Sequence, residues 1–305
     1  MTFDSNLDRE LRVGAQYLSQ CLTPESGAIP RIKNVDIFGE SLPLNGIAGG
    51  DLITYVNFQE RYDLDRRISN AREQGRHHVA ERLQSLKSKG GILVADVAGH
   101  EFADSLRALL LHQIFHTSIL YELDLHGELS NRIFEQINTR FFKSRTLHKL
   151  AGGVDASTFV TLIYGEIDIS GRFRFISAGH PAPLIFSRAY DRFVEISADR
   201  LASYPPVGLQ IVKDDADAKL FPSVLGYKEY YAVNELNLMG QGDVLLLFTD
   251  GLTDPFSPYS QDQLERAVSR AKDGTAEEIC KTILADRVAA FQPSDDLSLV
   301  VIKYQ

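Results

Sequence analysis

The stretch Gly91-Ile92-Leu93-Val94-Ala95-Asp96-Val97-Ala98-Gly99-His100 decides how the rest of the chain is read. Its apolar run is too short for an independent helix and is bounded by glycines, the pattern of a buried strand, and it ends on a carboxylate. An ionised Asp96 there is costly to bury alone, so it is solvated, paired or holding a cation. Two further apolar runs meet Asp residues in the same way. Val244 to Phe248 leads into Thr249-Asp250-Gly251, and Val301 to Leu297, read backwards, leads into Asp296-Asp295. A fourth carboxylate, Asp51, follows Gly49-Gly50 and opens the β-rich run Leu52 to Phe58. Four strand-end carboxylates beside loops suit hard divalent cations, which prefer oxygen ligands and, for magnesium, retain several waters.

Composition limits the alternatives. The 305 residues, 44% hydrophobic, can bury one large core or two modest ones. A formal charge of -9 argues against a general nucleic-acid or anionic-membrane surface, which needs a basic footprint. No apolar signal-peptide core follows Met1 and no run of 18 or more apolar residues occurs, so a cytoplasmic protein without membrane association is expected. Cys21 and Cys280 form no CxxC pair and fit reduced structural thiols.

Leu7, Leu11, Ala15, Leu18 and Leu22 predict an amphipathic helix within residues 1–23. Strands are expected at Val35 to Ser41 and after Asp51. Residues 60–89 turn charged, with eight Lys or Arg against five Asp or Glu, and read as a helical insertion. Because it joins the strands carrying Asp51 and Asp96, it is expected within reach of those carboxylates. There Arg66, Arg67, Arg72 and Arg76 would face an acidic partner, or simply water. After Asp96 a helix is expected with Phe102, Leu106, Leu109, Leu110 and Ile114 on its apolar stripe and Asp104, Arg107 and Gln113 off it. A second helix covers Glu128 to Lys143, and Gly152-Gly153 punctuates the chain after it. Thr158 to Asp168 and Arg172 to Ser177 read as a hairpin across Ile169-Ser170-Gly171. Further strands are expected at Pro183 to Ser187, Phe193 to Ile196 and Tyr227 to Leu238. Residues 260–291 look helical, with Ala276, Ile279, Ile283, Val288 and Ala289 on one face. His112 and His116 have the i, i+4 spacing of a zinc pair, but Gln113 replaces the Glu of a metalloprotease motif, and they read as ordinary helix residues. The absence of regular strand-helix-strand alternation and of Walker or Rossmann glycines counts against a doubly wound sheet.

Five motifs in order carry a resemblance: Gly49-Gly50-Asp51; Asp96-Val97-Ala98-Gly99-His100; Phe159-Val160-Thr161-Leu162 into Ala178-Gly179-His180-Pro181; Gly242-Asp243 through Thr249-Asp250-Gly251; and Asp295-Asp296-Leu297-Ser298. Together they resemble the metal-dependent protein phosphatases (the PPM, protein phosphatase 2C-like family) in the bacterial SpoIIE/RsbU-type branch, over nearly the whole chain. The resemblance implies an α+β fold, an αββα sandwich of two antiparallel sheets flanked by helices, as a single domain over 1–305. It implies two Mn²⁺ or Mg²⁺ ions held by Asp51, Asp96, Asp250 and Asp295, with the Val97 carbonyl as a backbone ligand and Asp96 as the bridge. These four Asp residues would act through a metal-activated water on phosphoserine or phosphothreonine, which requires no side-chain nucleophile. The substrate implied is a phosphorylated regulatory protein, such as a STAS-type anti-anti-sigma factor in a partner-switching pathway. With the first helix starting at Leu7, control is expected from a regulator or from homodimerisation through that helix rather than from an in-chain sensor. Two departures stand out: Glu101 replaces the Gly common after the His, and the interval from Asp51 to Asp96 is long. Asp254 and Asp296 neighbour the expected ligands as supporting groups, His180 reads as a strand-end hydrogen-bonding residue, and Asp243 as a turn residue. A weakened phosphatase-like binding module and a hydrolase of a small phosphoester are the competing readings.

Overall fold

The computed structural model describes residues 2–24, 27–44, 47–99, 102–144, 159–237, 240–253, 259–290 and 294–305. The expectations placed on His100, Glu101, Gly152-Gly153 and Asp254 lie outside the described residues.

Two five-stranded antiparallel sheets face each other, and both are built from the expected apolar runs. The first contains β1 (Val35–Leu42), β6 (Leu184–Ser187), β7 (Arg192–Val194), β9 (Val244–Phe248) and β10 (Leu297–Tyr304), in the order β1-β10-β9-β6-β7. The second contains β2 (Asp51–Val56), β3 (Lys89–Val97), β4 (Val160–Asp168), β5 (Arg172–Ala178) and β8 (Asn234–Asn237), in sequence order. Strands β2, β9 and β10 are buried on both faces, so their sequences are continuous rather than alternating. Ile53, Ile92, Val94, Ile163, Leu245, Leu247 and Val300 fill the layer between the sheets.

Helices cover both outer faces. α1 (Thr2–Leu22), α5 (Phe102–Leu125) and α6 (Asn131–Lys143) lie on the side of the second sheet, where Phe115, Phe134 and Tyr164 pack with ring centroids 5.2 to 6.1 Å apart. α8 (Gln261–Ala271) and α9 (Ala276–Ala290) cover the first sheet through Leu264, Val268, Ile279 and Ile283. α8 starts with a reciprocal capping box between Ser260 and Gln263. The αββα expectation holds. Among the described residues no helix is long and apolar enough to cross a membrane.

The structure corrects four local expectations. First, residues 60–89 do form helices, the end of α2 (Phe58–Arg61) with α3 (Leu64–Glu73) and α4 (His77–Leu86), but at the wrong end of the sheet for the role expected of them. Asp51 pairs with Asp96 and Val56 with Gly91, so the insertion joins the strand ends remote from the carboxylates, roughly 17 Å away at the usual strand rise. Two of its arginines hold it to α5: Arg67 pairs with Asp124 at 2.6 Å and Arg76 donates to the Asp124 carbonyl at 2.6 Å. Second, α5 buries Ala108, Leu111, Phe115, Ile119 and Leu123, while Leu110 is 41% exposed. Asp104 and Arg107, expected on the solvent side, are buried as an ion pair of 2.6 Å, each neutralising what the other could not carry inside alone. Third, residues 227–233 are irregular and only Asn234–Asn237 pairs as a strand. Fourth, α9 turns Val288 outward, 44% exposed, and buries Arg287 completely.

Candidate metal centre

The strand registers bring three of the expected motifs to one edge. Asp51 opens β2 directly opposite Asp96 near the end of β3, and Asp96 in turn faces Thr161 on β4. From the other sheet, β9 ends one residue before Thr249-Asp250, and Asp295-Asp296 immediately precede β10. Asp250 is the first residue of the one-turn helix α7 (Asp250–Thr253).

Hydrogen bonds across the sandwich hold these pieces together. The Thr249 hydroxyl donates to Asp51 Oδ2 at 2.7 Å and itself accepts from the Ser298 amide at 3.0 Å. Asp296 is 3% exposed and accepts from the amides of Gly50 at 2.6 Å and Leu44 at 2.7 Å, so it anchors the loop before Asp51. The Asp296 amide donates to Asp295 Oδ1 at 2.8 Å. His180, buried with Nδ1 2.9 Å from the Thr161 hydroxyl, is pushed by burial down to about 3 and is neutral near pH 7. His180 is a hydrogen-bonding residue as expected, and Asp296 braces the segment that leads into Asp51. Asp243 accepts from the amides of Gly240 and Arg188, as a turn residue should. His112 lies 3.0 Å from the Thr54 hydroxyl and edge-on to His116 on a packed helix.

The glycines of the first motif have a steric cause. A Cβ on Gly49 would meet the Asp296 carboxylate at 2.2 Å, and one on Gly50 would lie 2.6 Å from the carbonyl oxygens of both Val97 and Gly99. Only glycines let the Asp51 lead-in lie this close to the Asp96 loop. On the far side of that loop Gly99, at φ +108°, sits against Asp104, and Arg107 donates to the Ala98 carbonyl at 3.4 Å. Sequence reasoning missed this buried pair under the loop. The only signal for it was two opposite charges three residues apart on a helix, which is common on solvent faces.

Electrostatics shows that the carboxylates share a site. Asp51 is raised well above the ordinary carboxylate range, first by burial and then by Asp96. Asp96 is raised to about 7 by burial and by the charges of Asp250, Asp295 and Asp296. Among the described residues no group of three or more His, Cys, Asp or Glu side chains is already placed to hold a metal ion; Asp96 lies within electrostatic reach of Asp51, Asp250 and Asp295, and like charges at that range repel. An all-oxygen donor set, two carbonyls converging on the space a Gly50 Cβ would fill, and carboxylates that disfavour joint ionisation fit a hard divalent cation. Gly50→Ala is therefore expected to weaken Mn²⁺ binding by roughly 10- to 100-fold, the scale of an outer-shell lesion, as read by Mn²⁺ electron paramagnetic resonance.

Comparisons with known proteins bear on the fold and the lineage. The sequence pattern of the family described as Stage II sporulation protein E (SpoIIE) matches residues 87–305. Phosphoserine phosphatase RsbP of Bacillus subtilis is 27% identical over 215 residues, which are 70% of this chain and 45% of RsbP; the chain thus spans less than half the length of that relative. A structure of the RsbU and RsbW domains from Mycobacterium tuberculosis is similar with a TM-score of 0.59 at 19% identity, covering 91% of this chain and 62% of that one. The SiaA-PP2C domain of Pseudomonas aeruginosa gives a TM-score of 0.61 at 14% identity, over 98% of this chain and 99% of that one. At these identities the two structures speak for the fold. The family pattern, matched over well more than half of the chain, shows the lineage: the chain belongs to the SpoIIE family.

Proposed function

We propose that the protein is a metal-dependent serine/threonine phosphatase acting on a phosphorylated regulatory protein, with Asp51, Asp96, Asp250, Asp295 and the Val97 carbonyl as the groups that would hold two Mn²⁺ or Mg²⁺ ions. The observation that carries this reading is the register Asp51 opposite Asp96, with Asp250 and Asp295 delivered to the same edge by the other sheet. When bound, such ions would activate a water for attack on phosphorus and offset charge growing on the phosphoryl oxygens. The chain's own part is to hold the carboxylates in place: Thr249 orients Asp51, and Asp296 fixes the Gly49-Gly50 turn. Neither of the two groups that could otherwise suggest side-chain catalysis fits. His180 is neutral and buried, and the Cys280 thiol is pushed by burial up to about 12, far from a thiolate nucleophile.

The substrate is proposed to be a serine-phosphorylated STAS-type protein in a partner-switching pathway, a reading supported by membership in the SpoIIE family and the likeness to RsbP. Purified protein with Mn²⁺ should release phosphate from phosphorylated STAS proteins of the same genome and from a phosphoserine peptide, and EDTA should stop both. Turnover of p-nitrophenyl phosphate with every phosphoprotein left intact would instead point to a small phosphoester substrate.

A further inference from the structure

We propose that Arg287 is a positioning residue for the metal centre, fixing Asp250 through the backbone of α7. This inference rests on the metal-centre reading above. Arg287 is on α9, well after Asp250 in sequence, and is fully buried. Its Nη2 donates to the Gly251 carbonyl at 3.1 Å and its Nε to the Leu252 carbonyl at 3.3 Å. Those carbonyls belong to the two residues directly after Asp250.

Burying a guanidinium is expensive, and an apolar side chain would fill the same space at lower cost. What the guanidinium adds is its rigid fork of donors, which can hold two neighbouring carbonyls at once. The last four carbonyls of a helix have no partner within it, and in a four-residue helix these include the Gly251 and Leu252 carbonyls that Arg287 reaches. The Tyr259 ring, with its centroid 5.9 Å from the guanidinium carbon, adds a cation–π contact.

The opposite side of α7 is closed as well. A Cβ on Gly251 would lie 2.0 Å from the Asp296 carbonyl, so the α7 backbone lies directly against the segment that carries Asp295 and Asp296. Asp250 is thus presented from a short turn gripped between that segment and Arg287. The helix that carries Arg287 also leads, eight residues on, to Asp295. The sequence reading missed this residue because it placed the apolar Val288 on the buried face, although Arg287, four residues after Ile283, is the residue on that stripe.

The test is Mn²⁺ affinity by electron paramagnetic resonance, with circular dichroism and a thermal midpoint on the same samples in EDTA, for wild type, Arg287→Met and Arg287→Lys. Arg287→Met keeps the bulk and removes the donors. It should remain folded, bind Mn²⁺ about 10- to 100-fold more weakly, and recover most aryl-phosphatase kcat at saturating Mn²⁺. Arg287→Lys keeps one charged donor and should fall between the two; if Arg287→Met does not fold, Arg287→Lys alone decides, with at least about a fivefold loss expected. Mn²⁺ affinity within twofold of wild type in a folded variant would overturn the proposal, leaving Arg287 as packing only. Wild type that binds Mn²⁺ yet hydrolyses no phosphoester, while Arg287→Met still binds more weakly, would support the clamp and sink the phosphatase reading. Wild type that binds no Mn²⁺ overturns both.

Discussion

Asp96→Asn and Asp250→Asn each remove Mn²⁺-dependent phosphoester hydrolysis by more than about 100-fold, beyond the 10- to 100-fold typical of outer-shell partners, in proteins that remain folded. The reason is that each carboxylate contributes a charge as well as an oxygen, and an amide at the same place returns only a neutral oxygen. Asp96 should be the more severe of the two. It stands between the sheets' contributions, facing Asp51 across the strand pair and feeling Asp250 and Asp295 from the other sheet. The check is kcat/KM on p-nitrophenyl phosphate over a Mn²⁺ series, with circular dichroism for the fold. Near wild-type activity in both variants would remove the two-ion assignment. Asp243→Asn is the control: it alters a carboxylate at the opposite end of β9 from Asp250, accepting from the Gly240 and Arg188 amides, and hydrolysis should persist.

The sequence exposed the sheets because their strands are buried on both faces and so appear as unbroken apolar runs, as at Ile92 to Ala95 and Val244 to Phe248. It exposed the four carboxylates because each adjoins the end of such a run. It did not reveal where the 60–89 helices would lie. Knowing that an insertion joins two strands does not say which ends it joins until direction and register are known, and Asp51 opens its strand whereas Asp96 comes near the end of its own. Nor did periodicity find the buried ions. A stripe drawn through Phe102, Leu106, Leu109, Leu110 and Ile114 assigns Asp104 and Arg107 to water, and apolar character alone put Val288 rather than Arg287 on the α9 face, yet all three ions are buried against partners close to the candidate site: Asp104 and Arg107 pair with each other, and Arg287 holds the α7 carbonyls. Buried polar groups of this kind are set by tertiary partners, which a helical stripe does not encode. The irregular stretch 227–233 was missed for a related reason. Its three Tyr residues and Val233 suit a strand, but the stretch is held by α6 instead: Glu135 accepts from the Tyr231 amide and pairs with Lys228, and Asn131 donates to the Tyr231 carbonyl.

In EDTA, Asp96→Asn becomes progressively more stable than wild type as pH rises from about 4 to about 7, and the advantage levels off above that. Asp96 is held at about 7 in the folded protein against an ordinary value of 3.8, by burial and by neighbouring carboxylates. A raised folded value means the folded state keeps its proton longer than the unfolded state. The associated stability is complete below about 4 and is lost as pH rises through about 7. Asp51, raised in the same direction, adds to the effect. The wild-type curve alone would hide it, because His180 works with the opposite sign. Its folded value of about 3 lies below the ordinary 6.5, so its contribution is present above pH 6.5 and is lost as pH falls towards 3. The two slopes oppose each other over much of the same window, and only the difference between wild type and Asp96→Asn isolates the carboxylate. Asp191 and Asp273, held low by hydrogen bonds from Lys272 and Arg188, titrate below the window and are common to both proteins. The expected difference at pH 8 is on the order of a few kcal/mol, or roughly 5 °C in thermal midpoint for a chain of this size. Added Mn²⁺ should reverse the order at pH 8, since the cation binds the ionised set that repels itself in EDTA and finds one charge fewer in the variant. A pH-independent difference between the two proteins in EDTA would show that Asp96 is not under the charge repulsion on which the proposed cation site rests.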